Sequence, residues 1–318
     1  MTLGIDGSLP LVLAADVGGT NCRMALFQGT TMIDHRRVPS RGPSLTHVLH
    51  PFLCGQRVQA ACVSVAAPIR GQRAEMTNHP WTIDQAELSQ MAECPVLLVN
   101  DFVAAARGVP ELGDEGRIVL QQGAPPPPDA PIAVIGPGTG LGQALLIREG
   151  ADWRVLPSQG GHVDFGPTDT VELDLIHWMR HRDQRVSYEH ILSGDGLLAL
   201  YSYFVARGSA GVTLAEAAQV VAADTPAAQQ AIARFCRILG SFAGNVALST
   251  LCLGGLTLCG GIAPRLDLVT NGFLQAFLNK GKMAALMPDF PITLVTDPHI
   301  ALRGAAALAE RMLGNEPL

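Results

Sequence analysis

The chain has 318 residues, of which 48% are hydrophobic and 16% charged, with a formal net charge of −6. That length allows roughly two domains and a core large enough to need no disulfide or metal staple. The apolar balance excludes disorder, and the acidic sum argues against a nucleic-acid partner.

Leu11 to Ala15 is a continuous apolar run without a basic flank, which reads as a first strand buried on both faces rather than a signal peptide. It ends in Asp16-Val17-Gly18-Gly19-Thr20-Asn21, and Cys22 to Phe27 follows as a second strand, so the glycines form a hairpin tip. Strands are expected at 60–66 and 96–99, with a helix between them at 84–92 capped by Asp84. A further helix starts at Phe102. Pro125 to Pro128 then make a stiff exposed connection.

After the prolines the opening pattern recurs. Ile132 to Ile135 is an apolar strand, Gly136-Pro137-Gly138-Thr139-Gly140 a glycine turn, and Gln143 to Ile147 a second strand. At an offset of 120 residues Gly18 falls on Gly138, Arg23 on Gln143 and Leu26 on Leu146. The chain thus carries two copies of one unit. Helices are expected over 170–182, 196–206, 213–223 and 227–248, strands at 256–259 and 291–295, and a last helix over 300–313. This alternation predicts an α/β class with largely parallel sheets.

Ile238 to Pro264 lacks any charged residue and raises the question of a membrane. Gly254-Gly255 divides it, so it reads as a buried helix followed by a buried strand, and no membrane partner is expected. Seven cysteines without a CxxC pair suit reduced thiols in the cytoplasm.

The glycine turns fit neither the GxGxxG fingerprint nor a Walker A loop, since Gly281-Lys282 is followed by Met283. What remains is bare backbone N–H groups, which cradle phosphate oxygens where no Cβ obstructs approach. Two such tips suit a polyphosphate. Asp16 suits a Mg²⁺ ion, directly or through water. Asn100-Asp101 ends a strand, where open α/β sheets place ligands. Asp101 there is either a base that takes a hydroxyl proton or an N-cap for the helix at Phe102. Ser158-Gln159-Gly160-Gly161-His162 and Glu189 offer amide, imidazole and carboxylate groups to a polyhydroxylated ligand. His177 and His181, four apart, read as a solvated helix face rather than a metal pair.

Seven stations in order resemble the bacterial glucokinase family, within the sugar kinase, hexokinase and actin superfamily. They are Ala15 to Asn21, Met76 to Trp81, Asn100 to Phe102, Gly136 to Gly142, Gly160 to Phe165, Ile191 to Leu197, and Cys259 to Arg265. The related ROK kinases carry a cysteine-rich zinc motif that is missing here, so no structural zinc is expected. The resemblance implies two ribonuclease H-like α/β domains around a central cleft, a small one of residues 1–111 plus 300–318 and a large one of 112–299. It implies ATP-dependent phosphorylation of glucose at O6, with Asp101 as the base, and a homodimer.

Asn78, Asn100, Asp101, Gln159, His162 and Glu189 would hold the sugar. Ala15, Asp16, Val17, Gly18, Gly19, Thr20, Asn21, Gly138, Thr139, Gly140, Gly260 and Gly261 would hold the nucleotide, with Mg²⁺ at Asp16. Gln159 stands where the family has glutamate, which implies weaker glucose affinity or a shifted hexose preference. A kinase of another hexose, or a non-catalytic sugar-sensing regulator, are the alternatives this departure keeps open.

Overall fold

In the computed structural model, which describes residues 9–76, 79–181 and 183–314, the first apolar run is a strand, β1 (Leu11–Val17). The chain continues through β2 (Asn21–Gln28), β3 (Thr31–Pro39), α1 (Leu45–Leu53) and β4 (Ala60–Val65). Three short strands follow, β5 (Ile69–Arg70), β6 (Arg73–Glu75) and β7 (Thr82–Asp84), pairing as a small sheet of their own. Then come α2 (Gln85–Ala92), β8 (Val96–Asn100) and α3 (Asp101–Gly108). The second half begins with β9 (Arg117–Gln121), β10 (Ile132–Pro137), β11 (Leu141–Glu149) and β12 (Asp152–Ser158). It continues with α4 (Thr170–Met179), α5 (Gly194–Ala206), α6 (Ala217–Ala222), α7 (Pro226–Thr250), β13 (Gly255–Leu258) and α8 (Phe273–Leu278). β14 (Ile292–Val295) and α9 (Ile300–Leu313) complete it. Two compact units result. One comprises Met1–Glu115, Glu149–Leu156 and Asp297–Leu318, the other Gly116–Arg148 and Pro157–Thr296.

The first unit is built on the sheet order β3-β2-β1-β4-β8, an antiparallel meander joined to parallel strands. Alternate residues of β1 go to opposite faces. Leu13, Ala15 and Val17 pack with Leu49 and Phe52 of α1 and Leu88 of α2. Val12 and Ala14 pack with Ala104 of α3 and Leu302, Ala305 and Ala309 of α9. Both faces are covered, which is why the run is apolar throughout.

Helices α3 and α9 approach backbone to backbone. A Cβ on Gly304 would lie 1.8 Å from the Ala104 carbonyl oxygen, and one on Gly108 2.1 Å from that of Ile300. Any larger residue forces the helices apart. This contact sets the position of α3, whose first residue is Asp101.

The six-stranded sheet has the order β12-β11-β10-β13-β14-β9. Its first five strands repeat the pattern of the first sheet: a glycine-tipped antiparallel hairpin, then parallel strands. The 120-residue repeat is therefore a repeat of topology. Its register slips at the tip, however. Val17 pairs with Cys22 but Pro137 with Leu141, so the second tip is one residue shorter and Gln143 sits opposite Ile135, one place out of step with Arg23 opposite Asp16.

The uncharged stretch proves to be the end of α7, a left-handed Leu251 (φ 46°), and β13. Helix α7 is, among the described residues, the one long and apolar enough to cross a membrane, yet 67% of its apolar window is buried within the protein. It is a core helix.

Several expectations shift. The helix expected over 213–223 shrinks to α6, because a capping box at Glu216 starts it there, the Gln219 side chain accepting from the Ala215 and Glu216 N–H groups at 2.7 and 3.1 Å. The helix expected over 170–182 ends at Met179. The helix expected over 196–206 starts two residues earlier, at Gly194, with the Ser193 hydroxyl accepting from the Gly196 N–H at 3.1 Å. β3 was not anticipated, since it is an edge strand with mostly exposed polar residues and no apolar run.

Candidate functional site

In the first unit, Asp16 occupies the last part of β1, paired across to Arg23 on β2 and Ser64 on β4. Its neighbours hold it loosely. Arg23 Nη1 stands 3.5 Å from one carboxylate oxygen and Ser64 Oγ 3.4 Å from the other. Burial pushes the carboxyl above its ordinary range, with the Arg23 charge and the Ser64 hydroxyl opposing.

The tip above Asp16 is closed by Gly18 N–H donating to Asn21 O (3.0 Å). Gly19 and Thr20 are exposed. Ala15 and Val17 are buried, and their carbonyls already accept from Ser64 Oγ and Ala66 N–H. Ser40, which the sequence reading missed, braces the tip. Its hydroxyl donates to Gly18 O (2.7 Å), its N–H to Thr20 O (2.9 Å), and its carbonyl meets His79 Nε2 (2.8 Å).

Asn78 lies outside the described residues. Beside it, Met76 N–H donates to Trp81 O and the Trp81 indole to Gly42 O.

Asn100 is the N-cap of α3, its Oδ1 accepting from Phe102 N–H at 3.0 Å. The capping duty that the sequence allowed for Asp101 thus falls one residue earlier, and Asp101 is the first helical residue. Its own Oδ1 also accepts from Phe102 N–H (2.8 Å). Burial, and then the Asp16 charge, push the Asp101 carboxyl up to about 6. Such a group is a base at neutral pH with a proton affinity well above that of a free aspartate.

In the second unit, Gly138 N–H donates to Gly140 O (2.8 Å) to close the second tip, with Thr139 exposed at its apex. Glu189 supplies the carboxylate here. Its Oε2 accepts from Leu141 N–H at 2.8 Å, and its Oε1 stands 3.5 Å from His162 Nδ1. A Cβ on Gly140 would lie 2.5 Å from Glu189 Oε2, so this glycine exists to admit the carboxylate. Gly160 likewise makes room for the Gln143 amide, and Gly161 for the Leu141 carbonyl. His162 and Gln159 are exposed, their segment tied by His162 N–H to Gln159 O (3.0 Å).

The loop of Gly260 and Gly261 abuts the same end of β10. Gly260 has φ +88° and no room for a Cβ, which would meet Pro137 O at 2.6 Å. Gly261 faces open space. At the start of α5, Gly194 N–H donates to Gly138 O (2.9 Å). The second tip, the 260–261 loop, Glu189 and His162 are thus gathered in one unit, while Asp16, Asn100, Asp101 and the first tip are gathered in the other.

Two sheets with the same strand order and glycine tips make this a duplicated ribonuclease H-like α/β protein, the architecture of sugar kinases. The family model for glucokinases matches residues 13–312. A glucokinase of Marinobacter nauticus is 40% identical over 309 residues, covering 92% of this chain and 95% of its own. One of Colwellia psychrerythraea is 36% identical over 314 residues, covering 93% and 94%. The crystal structure of a glucokinase from an Antarctic psychrotroph matches with a TM-score of 0.85 at 32% identity, over 96% of this chain and 100% of that one. The chain belongs to the glucokinase family.

Proposed function

We propose that this protein transfers the γ-phosphoryl group of ATP to the O6 hydroxyl of glucose, with Asp101 as general base. The observation that carries this reading is the half-buried Asp101, first residue of α3 behind the Asn100 cap and raised to about 6 beside Asp16. Asp101 takes the O6 proton as the oxygen bonds to the γ-phosphorus. The bond from that phosphorus to the β–γ bridging oxygen breaks, and ADP leaves. Asn100, His162, Glu189 and Gln159 present hydroxyl-binding groups, and Asn78 is assigned with them. The tips at Gly18-Gly19 and Gly138 to Gly140 offer N–H groups to phosphates, and Gly260-Gly261 a bare backbone to adenosine.

Asp16 fits a magnesium ion carried by the nucleotide. Its partly exposed carboxylate makes long contacts to Arg23 and Ser64, and among the described residues no cluster of three ligating side chains forms a cage. Mg²⁺ keeps several waters and phosphate oxygens and needs only one or two carboxylates. Bound there, the ion would neutralise phosphate charge.

None of the seven cysteines is in a disulfide, which supports a reducing, cytoplasmic setting. A homodimer belongs to the same proposal and is read by light scattering.

Gln159 supports a second reading within this chemistry, a preference for another hexose. A panel of hexoses with ADP detection decides between them. The largest kcat/KM with glucose is expected, and Asp101→Asn should lower kcat by a factor on the order of 10²–10⁴ while glucose still binds. Silence across the panel, or near-normal kcat in Asp101→Asn, overturns the assignment.

A further inference from the structure

Glu189 and His162 sit on two loops that a short ladder straps together. Phe165 N–H donates to Val186 O (3.0 Å), Tyr188 N–H to Val163 O (3.1 Å) and Glu189 N–H to Gly161 O (2.8 Å). Asp164 and Ser187 form an antiparallel bridge between them. Tyr188 is the side chain on which the strap closes. It is 3% exposed, with its ring against Phe165 (5.4 Å between centroids) and Phe242 (4.6 Å).

The Tyr188 oxygen does not end in the core unpartnered. Asn245 on α7 donates to it through Nδ2 at 2.8 Å. Asn245 is in turn fixed by Lys280, just beyond α8, whose Nζ donates to Asn245 Oδ1 at 2.7 Å and to Ser241 O at 2.7 Å. The lysine fixes the amide's orientation. With Oδ1 turned to an ammonium, Nδ2 must point to Tyr188.

Two further features show that α7 makes room for this lysine. Gly244 lies inside α7, where glycine costs about 1 kcal/mol relative to alanine. A Cβ there would meet Lys280 Cε at 2.3 Å, so the glycine is a slot for the lysine stem. The ammonium is half-buried, and its hydrogen bonds among the described residues go to neutral acceptors: the Ser241 carbonyl, the Ser241 hydroxyl and the Asn245 amide. Burial accordingly lowers its proton affinity. A charged group held without a carboxylate adds little net stability. Its use lies in what it orients.

We infer that Lys280 is a positioning residue for the hexose side of the site, acting through Asn245 and Tyr188 on the two loops that carry His162 and Glu189. The inference rests on the glucose reading for its kinetic consequence, but its structural content is independent of which sugar binds.

The test is Lys280→Met in the full-length enzyme, read by amide hydrogen exchange and steady-state kinetics. Exchange at Phe165, Tyr188 and Glu189 should quicken. Glucose KM should rise about fivefold, the loss expected of one buried hydrogen bond, with kcat within twofold and ATP KM unchanged. Tyr188→Phe should raise glucose KM similarly, and adding Lys280→Met to it should change nothing further. Asn245→Leu removes the donor to Tyr188 and leaves Lys280 its Ser241 acceptors. It should loosen the same amides, which holds the test open if Lys280→Met folds poorly. Unchanged exchange at those amides in a folded variant, or effects of the two substitutions that multiply, overturns the inference. Faster exchange in a protein whose wild type fails to phosphorylate glucose leaves the relay standing and removes the proposed function instead.

Discussion

The two glycine tips share a topology and differ in how each obtains a carboxylate. In the first, the acid is on the strand itself: Asp16, two residues before Gly18, held by Arg23 and Ser64 on the flanking strands. In the second, the position equivalent to Asp16 is Gly136, and the carboxylate comes from 53 residues further on, Glu189, which enters through the gap at Gly140. The repeat preserved the loop and reassigned its charge. The acid of the first tip lies among strands and suits a cation. That of the second is held on a backbone N–H and faces His162, which suits hydroxyls.

The sharpest break of this comparison is Asp16→Asn. Removing the strand-borne carboxylate beneath the first tip should lower kcat on the order of a hundredfold. It should also bring the basicity of Asp101 down, since the Asp16 charge is one of the two influences raising it. In the wild type the base must be ionised, so kcat/KM for glucose should fall as pH drops through about 6, and in Asp16→Asn the acid limb should move lower. A pH–rate profile reads both, and an unmoved limb denies the coupling.

Alanine at the two tips measures the asymmetry directly. Gly140→Ala pushes the end of the Glu189 side chain off Leu141 N–H, so it should cost about 1 kcal/mol in denaturant unfolding, one hydrogen bond, with a higher glucose KM. Gly18→Ala meets its nearest atom, Asn21 O, at 3.4 Å and should stay within about 0.5 kcal/mol of the wild type. Equal costs at both positions would remove the distinction.

A gain rather than a loss is expected at Gln159→Glu. A charged acceptor bonds a sugar hydroxyl by roughly 1 kcal/mol more than a neutral amide, so glucose KM should drop about fivefold. An unchanged KM would mean that Gln159 already binds as well as a carboxylate.

How much of this was legible differs by element. β1, β10 and β13 were plain because strands covered on both faces are apolar over most of their length. β3, on an exposed edge, left no such trace, and α1 carries Pro51 within it. The chemistry-bearing residues were legible from type and spacing. The meaning of their glycines was not. Gly140, Gly160, Gly161 and Gly260 look alike in sequence to Gly18, Gly138 and Gly261, yet the first four are required by contacts of the chain with itself, and the last three leave backbone with room.

The sequence by itself determined the α/β class, the doubled hairpin, the core nature of the uncharged helix and the family, because each depends on local pattern and composition. Only the tertiary structure decided that Asn100 rather than Asp101 caps α3, that Glu189 serves the second tip, and that Lys280 reaches Tyr188 through Asn245. Those depend on which side chains meet across long separations in the chain. Such meetings are fixed by packing at positions like Gly304 and Gly108, where one added methyl group has nowhere to go.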